Sequence, residues 1–134
     1  MAPAGRRLTL VLALAASAGI HAALVPAHAA GTPVVAALFA VSALALGGLA
    51  ALVDRSDRRW PVPAAAQLLG SLLVIYAASR LVVVWPLPHV EPVDAIGAIT
   101  KLLEAVGLGL ALSLLHASQG SRRTLPFQRE GARP

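Results

Sequence analysis

Four long apolar runs, more than any other feature, constrain what this chain can fold into. They cover residues 8–25, 33–53, 61–85 and 92–115, and a helix needs roughly 20 apolar residues to cross the hydrocarbon of a bilayer. Each of the last three runs begins with a proline, a residue that costs no hydrogen bond in the first turn of a helix. The pattern predicts an all-α fold, a bundle of four transmembrane helices over residues 1–117, followed by a flexible polar tail over 118–134.

Composition supports a membrane protein. The chain is 57% hydrophobic and 13% charged, and a soluble domain of this size would expose apolar patches that aggregate. There is no cysteine, which excludes disulfides, thiolate metal sites and CxxC redox chemistry. The net charge is +5, but most of the basic residues lie in short clusters between the apolar runs, as in membrane proteins. We therefore expect a lipid bilayer around the chain and no nucleic-acid partner.

The basic clusters also predict an orientation. Arg6 and Arg7 precede the first run, the connection 54–59 contains three arginines, and the segment after the last run contains four. The other two connections, "AHAAGT" and "PLPHVE", contain no Lys or Arg. By the positive-inside rule, both termini and the 54–59 connection are cytoplasmic. The preference for Arg over Lys, with many Ala, Gly and Pro residues, is typical of a GC-rich bacterial genome, so we expect a multi-pass protein of the bacterial plasma membrane.

The first run has a second interpretation. A basic start, an apolar middle and the ending Ala27-His28-Ala29 are typical of a signal peptide. Cleavage would leave three spans and remove His21 and His28. The run is long for a signal core, so we favour a retained helix and leave cleavage as the alternative.

The fourth run contains two charges, Lys101 and Glu104, near its middle. Each opposes insertion by roughly 2.5–3.5 kcal/mol, so the helix requires partners. The two residues are three apart and can form an ion pair on the helix surface. Asp94 lies on the same face at helical spacing. Lipid cannot solvate this polar stripe, so we expect it to face the bundle.

Other runs contribute polar groups at similar depth. Tyr76 and Arg80 lie one turn apart in the third run, and His21 lies in the first run, in line with Ser17. The predicted intramembrane polar site opens outward and consists of His21, Tyr76, Arg80, Asp94, Lys101 and Glu104. Structural roles stay open for these groups. Arg80 could pair with an acidic residue at the interface, and Lys101–Glu104 could be a purely structural pair.

Motifs for chemistry are lacking. The sequence contains no GxSxG, no HExxH and no phosphate-binding glycine loop. We predict no catalytic residue and no cofactor. His28 and Glu91 are weak candidates for a metal site, because His-x6-His with His21 is not a recognised ligand spacing.

Several segments resemble a group of small, uncharacterised four-span membrane proteins of actinobacteria. The similarity lies in "HAALVPAH" (21–28), "SRLV" (79–82), "EPVD" (91–94) and the Glu104 of the fourth run. In that group an acidic residue often precedes the second His, whereas this chain has Ala27. The departure weakens a metal site at this corner, and the group implies no established activity.

Three functional classes follow from these patterns. The first is an accessory or structural membrane protein, in which charges fix helix register. The second is a transport unit for protons or small solutes, and the third is a metal-binding membrane protein. A homo-oligomer and other membrane proteins are the partners that the sequence leaves open.

Overall fold

A computed structural model describes residues 3–56, 58–87 and 89–123. Within these residues the protein consists of four helices and contains no strand: α1 (Pro3–Ala29), α2 (Pro33–Arg55), α3 (Pro61–Leu81) and α4 (Ala95–Arg123). All four are long and apolar enough to cross a membrane. The predicted all-α fold with four membrane-spanning helices is confirmed.

The ends of two helices differ from the predicted spans. α3 ends at Leu81, although the apolar run continues to Trp85. The following Val82–Val84 segment is β-branched, and Trp85 precedes a proline, which disfavours the helical conformation. Arg80 therefore lies in the last turn of α3.

α4 begins at Ala95, three residues after the predicted start of the span at Pro92. Asp94 acts as its N-cap, because its Oδ1 accepts a hydrogen bond of 2.7 Å from the backbone N–H of Gly97. At the other end α4 continues to Arg123, through the first residues of the predicted flexible tail. The rest of that tail, 124–134, lies outside the described residues.

The helices alternate in direction around a ring. α1 packs against α2 and α4, α4 packs against α3, and the contact between α2 and α3 is the smallest. We call the half of the bundle that contains the start of α1 and the end of α4 the terminal half. The far half contains the connections 30–32 and 82–94.

The terminal half has an apolar core with contributions from all four helices. Its buried members are Leu10, Leu14, Leu46, Ala50, Val53, Ala65, Leu69 and Ala111. Gly107 lets α4 approach this core, since a Cβ atom there would lie 3.1 Å from Leu69 Cδ1 and 3.5 Å from Ala13 Cβ. Arg7 joins two helix ends, because its Nε donates a hydrogen bond of 2.7 Å to the carbonyl of Val53, one of the free carbonyls at the end of α2.

Candidate functional site

Glu104 is the centre of a polar cluster in the far half. Its side chain is fully buried, with 0% exposure. Oε1 accepts a hydrogen bond of 3.0 Å from Ser17 Oγ on α1, and Oε2 accepts one from Lys101 Nζ on the preceding turn of α4. Both carboxylate oxygens are thus engaged, one by a neighbouring helix and one by a cation.

His21 completes the α1 side of the cluster. Its Nδ1 lies 2.9 Å from the carbonyl oxygen of Ser17, which can only accept, so Nδ1 carries hydrogen. Nε2 lies 3.8 Å from Glu104 Oε1 and bears hydrogen only in the imidazolium form. The ring is 4% exposed and meets the Phe39 ring of α2 edge-on at 5.7 Å. His21 is therefore held in place by both α1 and α2.

Tyr76 is the centre of the α3 side. The Arg80 guanidinium lies 4.3 Å from the centre of its ring, and Lys101 Nζ lies 5.4 Å from it. Both distances fall within the range of cation–π contacts. Lys101 thus contacts Tyr76 on α3 and Glu104 on its own helix, which links the two sides of the cluster.

Asp94 and Arg80 form the outer edge. Arg80 Nη2 lies 3.5 Å from Asp94 Oδ2, and the Asp94 side chain is 55% exposed. Exposure therefore falls from Asp94 at the end of the bundle to zero at Glu104. The cluster is a polar strip that enters from one end and stops at about mid-bundle.

A glycine allows α3 and α4 to approach at this strip. A Cβ atom at Gly97 would lie 3.1 Å from Tyr76 Cε2 and 2.9 Å from Asp94 Oδ2, so a larger residue would require the Tyr76 ring and the Asp94 carboxylate to shift. Two donors beside it, Tyr76 OH and Arg80 Nε, are buried and have no hydrogen-bond partner among the described residues. The α3 side of the cluster therefore has two buried groups that could donate a further hydrogen bond.

The structure brings the six predicted site residues into two adjoining groups. His21, Lys101 and Glu104 meet between α1 and α4. Tyr76, Arg80 and Asp94 meet between α3 and the start of α4, and Lys101 joins the two groups.

The two weak metal candidates lie apart from this cluster. His28 packs against Phe39, with 5.0 Å between ring centres, and its Nδ1 contacts the carbonyl of Leu24. Glu91 lies 3.7 Å from His89 in the 82–94 connection. In the part of the chain that the structure describes, no group of three His, Cys, Asp or Glu residues could hold a metal ion.

The sequence patterns did not identify the direct partner of Glu104 on α1. The four-residue spacing places Ser17 and His21 on one face of the first helix, but it does not indicate that Ser17 contacts Glu104. The edge-on contacts of Phe39 with His21 and His28 and the close approach at Gly97 have no clear signal in the sequence, because a single Phe or Gly in an apolar helix is common.

Chemically, the cluster can hold charge within the bundle and hydrogen-bond to neighbouring groups. On the terminal side of Glu104, the same face of α4 continues with Gly107 and Ala111, which pack against leucines of the apolar core.

No protein-family model, curated protein or solved structure matches the chain.

Proposed function

We propose that this protein is an accessory or structural membrane component, in which the polar cluster fixes how the four helices pack. One observation carries the proposal. Glu104 is fully buried, and both its oxygens already have partners within the chain, Ser17 and Lys101. A carboxylate with this environment is suited to holding helices together rather than to binding a substrate.

In a membrane, contacts to a buried carboxylate specify the register between neighbouring helices. Leucine side chains pack against lipid nearly as well as against another helix, so apolar contacts alone discriminate poorly between alternative registers. A buried carboxylate has few favourable positions, because displacement by one turn would leave it in hydrocarbon without a partner. The Ser17–Glu104 contact thus favours one alignment of α1 and α4.

The apolar core of the terminal half argues against a path across the bundle. Leu10, Leu14 and Leu69 are fully buried on the terminal side of Glu104. Among the described residues, the buried side chains on the terminal side of Glu104 are apolar, so a proton or solute that reached Glu104 from the far end would find no buried polar side chain there to continue the transfer.

Transport of protons or small solutes is the second candidate. The observation that favours it is the strip from exposed Asp94 to buried Glu104, together with the unpartnered donors of Tyr76 and Arg80. Ordered water could satisfy those donors and extend the strip. Four helices enclose little volume, so a complete path would require further subunits.

Flux through reconstituted protein separates the two candidates. Liposomes containing the purified protein and a pH-sensitive dye are subjected to an imposed pH gradient or membrane potential. We expect proton flux equal to that of protein-free liposomes. Flux that is present in wild type and in Ser113→Ala but lost in Glu104→Gln would contradict the accessory role and favour transport. Ser113 is a suitable control, because its hydroxyl donates a hydrogen bond to the carbonyl of Leu110 on its own helix.

We further propose that the protein lies in the bacterial plasma membrane with both termini in the cytoplasm. The arginine clusters at the terminal end support this orientation. Since the chain contains no cysteine, single-cysteine variants give a direct test. We expect a membrane-impermeant maleimide to label Gly31→Cys in spheroplasts and Ser118→Cys only after lysis, and the reverse pattern would contradict the proposal.

We propose that α1 is retained, because it supplies the Ser17 partner of Glu104 and packs against α2 and α4.

We also propose that the chain belongs to the small four-span group of actinobacteria. The positions of the similar segments in the structure support this proposal. His21, Arg80, Asp94 and Glu104, one from each segment, all belong to the polar cluster.

A further inference from the structure

α3 is the least covered of the four helices. Of its membrane-spanning window, 17% is buried inside the bundle, compared with 28% for α1. One uncovered face carries a shallow groove of about 370 Å³, lined by Ala66, Gln67, Gly70, Ser71, Val74 and Ile75. All six residues belong to α3, so no other helix contributes to the lining of the groove.

Gln67 makes this groove unusual for a surface in contact with lipid. Its side chain is exposed and has no hydrogen-bond partner among the described residues. It lies seven residues beyond Trp60 at the start of α3, or about 10 Å along the helix axis. An amide at this depth has no water, and lipid offers it no hydrogen bond. A second polar side chain, Ser71, lies one turn further along the same groove.

The floor of the groove is shaped for another helix. At Gly70 a Cβ atom would meet nothing within 4 Å, and Ala66 lies one turn before it. Small residues four apart let two helix backbones approach closely in a membrane, and polar side chains beside them form hydrogen bonds between the helices.

We propose that this groove on α3 binds the same groove of a second copy of the chain, in a two-fold symmetric dimer. The chemistry favours a second copy because an amide side chain both donates and accepts hydrogen bonds. Across a two-fold axis, the two Gln67 side chains satisfy each other reciprocally, and each Gly70 accommodates the facing backbone. The proposal does not rest on the accessory function, and the flux measurement does not bear on it.

Subunit counting in lipid tests the dimer. The full chain carries one fluorophore on Ser118→Cys, and photobleaching steps are counted in bilayers as the protein is diluted with lipid. We expect mostly two-step traces at high protein density. Gln67→Leu should weaken the dimer by about 3- to 10-fold, from the loss of interhelical hydrogen bonds. Gly70→Leu should weaken it more strongly by filling the groove.

Gly48→Leu is the matched control, because Gly48 lies on the exposed side of α2 and, like Gly70, has open space at its Cβ position. It should dimerise like wild type.

A second readout is disulfide formation in membranes between two copies of a single-cysteine variant. We expect it for Ser71→Cys and not for Leu44→Cys, because Leu44 lies at an exposed mid-helix position of α2, outside the groove. Single-step traces for wild type at all densities, or equal dimerisation of Gly70→Leu and Gly48→Leu, would overturn the proposal.

Discussion

The two halves of this bundle are held together by different forces. In the terminal half, leucine, alanine and valine side chains from all four helices form one buried cluster. In the far half, the contacts between α1 and α4 include the hydrogen bond from Ser17 to a buried carboxylate. The contacts between α3 and α4 include a Tyr76 ring flanked by two cations. The same four helices are thus packed by shape at one end and by charge at the other.

The difference shows how a very apolar chain can have one preferred packing. Shape complementarity is sensitive to volume, so the terminal half should respond most to added or removed atoms. Charge pairing is sensitive to the loss of a partner, so the far half should respond most to changes that leave a charge unpaired. Substitutions in each half can therefore be designed to separate the contribution of shape complementarity from that of charge pairing.

The largest effect is expected for Glu104→Leu in the far half. It leaves Lys101 in the bundle without its carboxylate, and removal of one member of a buried ion pair costs about 3–5 kcal/mol. The free energy of unfolding in bicelles, measured by steric trapping, gives the effect. Glu91→Leu is the control, because this carboxylate lies in the 82–94 connection, and its effect should be small. Equal effects of the two substitutions would contradict the role assigned to Glu104.

An intermediate effect is expected for Gly107→Val in the terminal half. The new side chain would collide with Leu69, whose Cδ1 lies 3.1 Å from the Cβ position, and overpacking costs about 1–3 kcal/mol. Gly109→Val on the same helix is the control, because nothing lies within 4 Å of its Cβ position. The same unfolding measurement should show a loss for Gly107→Val well above that for Gly109→Val. Equal losses would indicate that the terminal half is loosely packed.

The smallest effect is expected for Ser17→Ala. The substitution removes one hydrogen bond to Glu104 but leaves the carboxylate paired with Lys101. Hydrogen bonds between membrane helices contribute about 0.6–1.7 kcal/mol. Ser113→Ala, whose hydroxyl bonds within its own helix, should have almost no effect. If Ser17→Ala is as neutral as Ser113→Ala, the Ser17 contact does not contribute to the packing of α1 on α4.

Much of the fold could be predicted from the sequence. The four apolar runs predict the helices because lipid requires long segments with internal hydrogen bonds, and few other structures satisfy that requirement. Helix ends were less predictable, since apolar character continues beyond them. α3 ends at Leu81 within an apolar run, and α4 begins only after the Asp94 cap, so local backbone preferences, rather than hydrophobicity, determine both ends.

Less of the site could be predicted. Helical spacing alone predicts the Lys101–Glu104 contact, which the structure contains. Spacing within one helix cannot show which neighbouring helix the face meets, so the Ser17 contact of Glu104 and the Tyr76 contact of Lys101 depend on tertiary packing. The close approach at Gly97 depends on the same packing and is visible only with the Tyr76 ring in place.

The most direct test of charge-based packing is a double-mutant cycle on Lys101 and Glu104, with Lys101→Met and Glu104→Leu made singly and together. The free energy of unfolding in bicelles is measured for all four proteins. If the charges serve packing, the double variant should recover most of the stability that Glu104→Leu loses, because no unpaired charge remains in the bundle. A double variant no more stable than Glu104→Leu would contradict the role of the pair in holding the far half together.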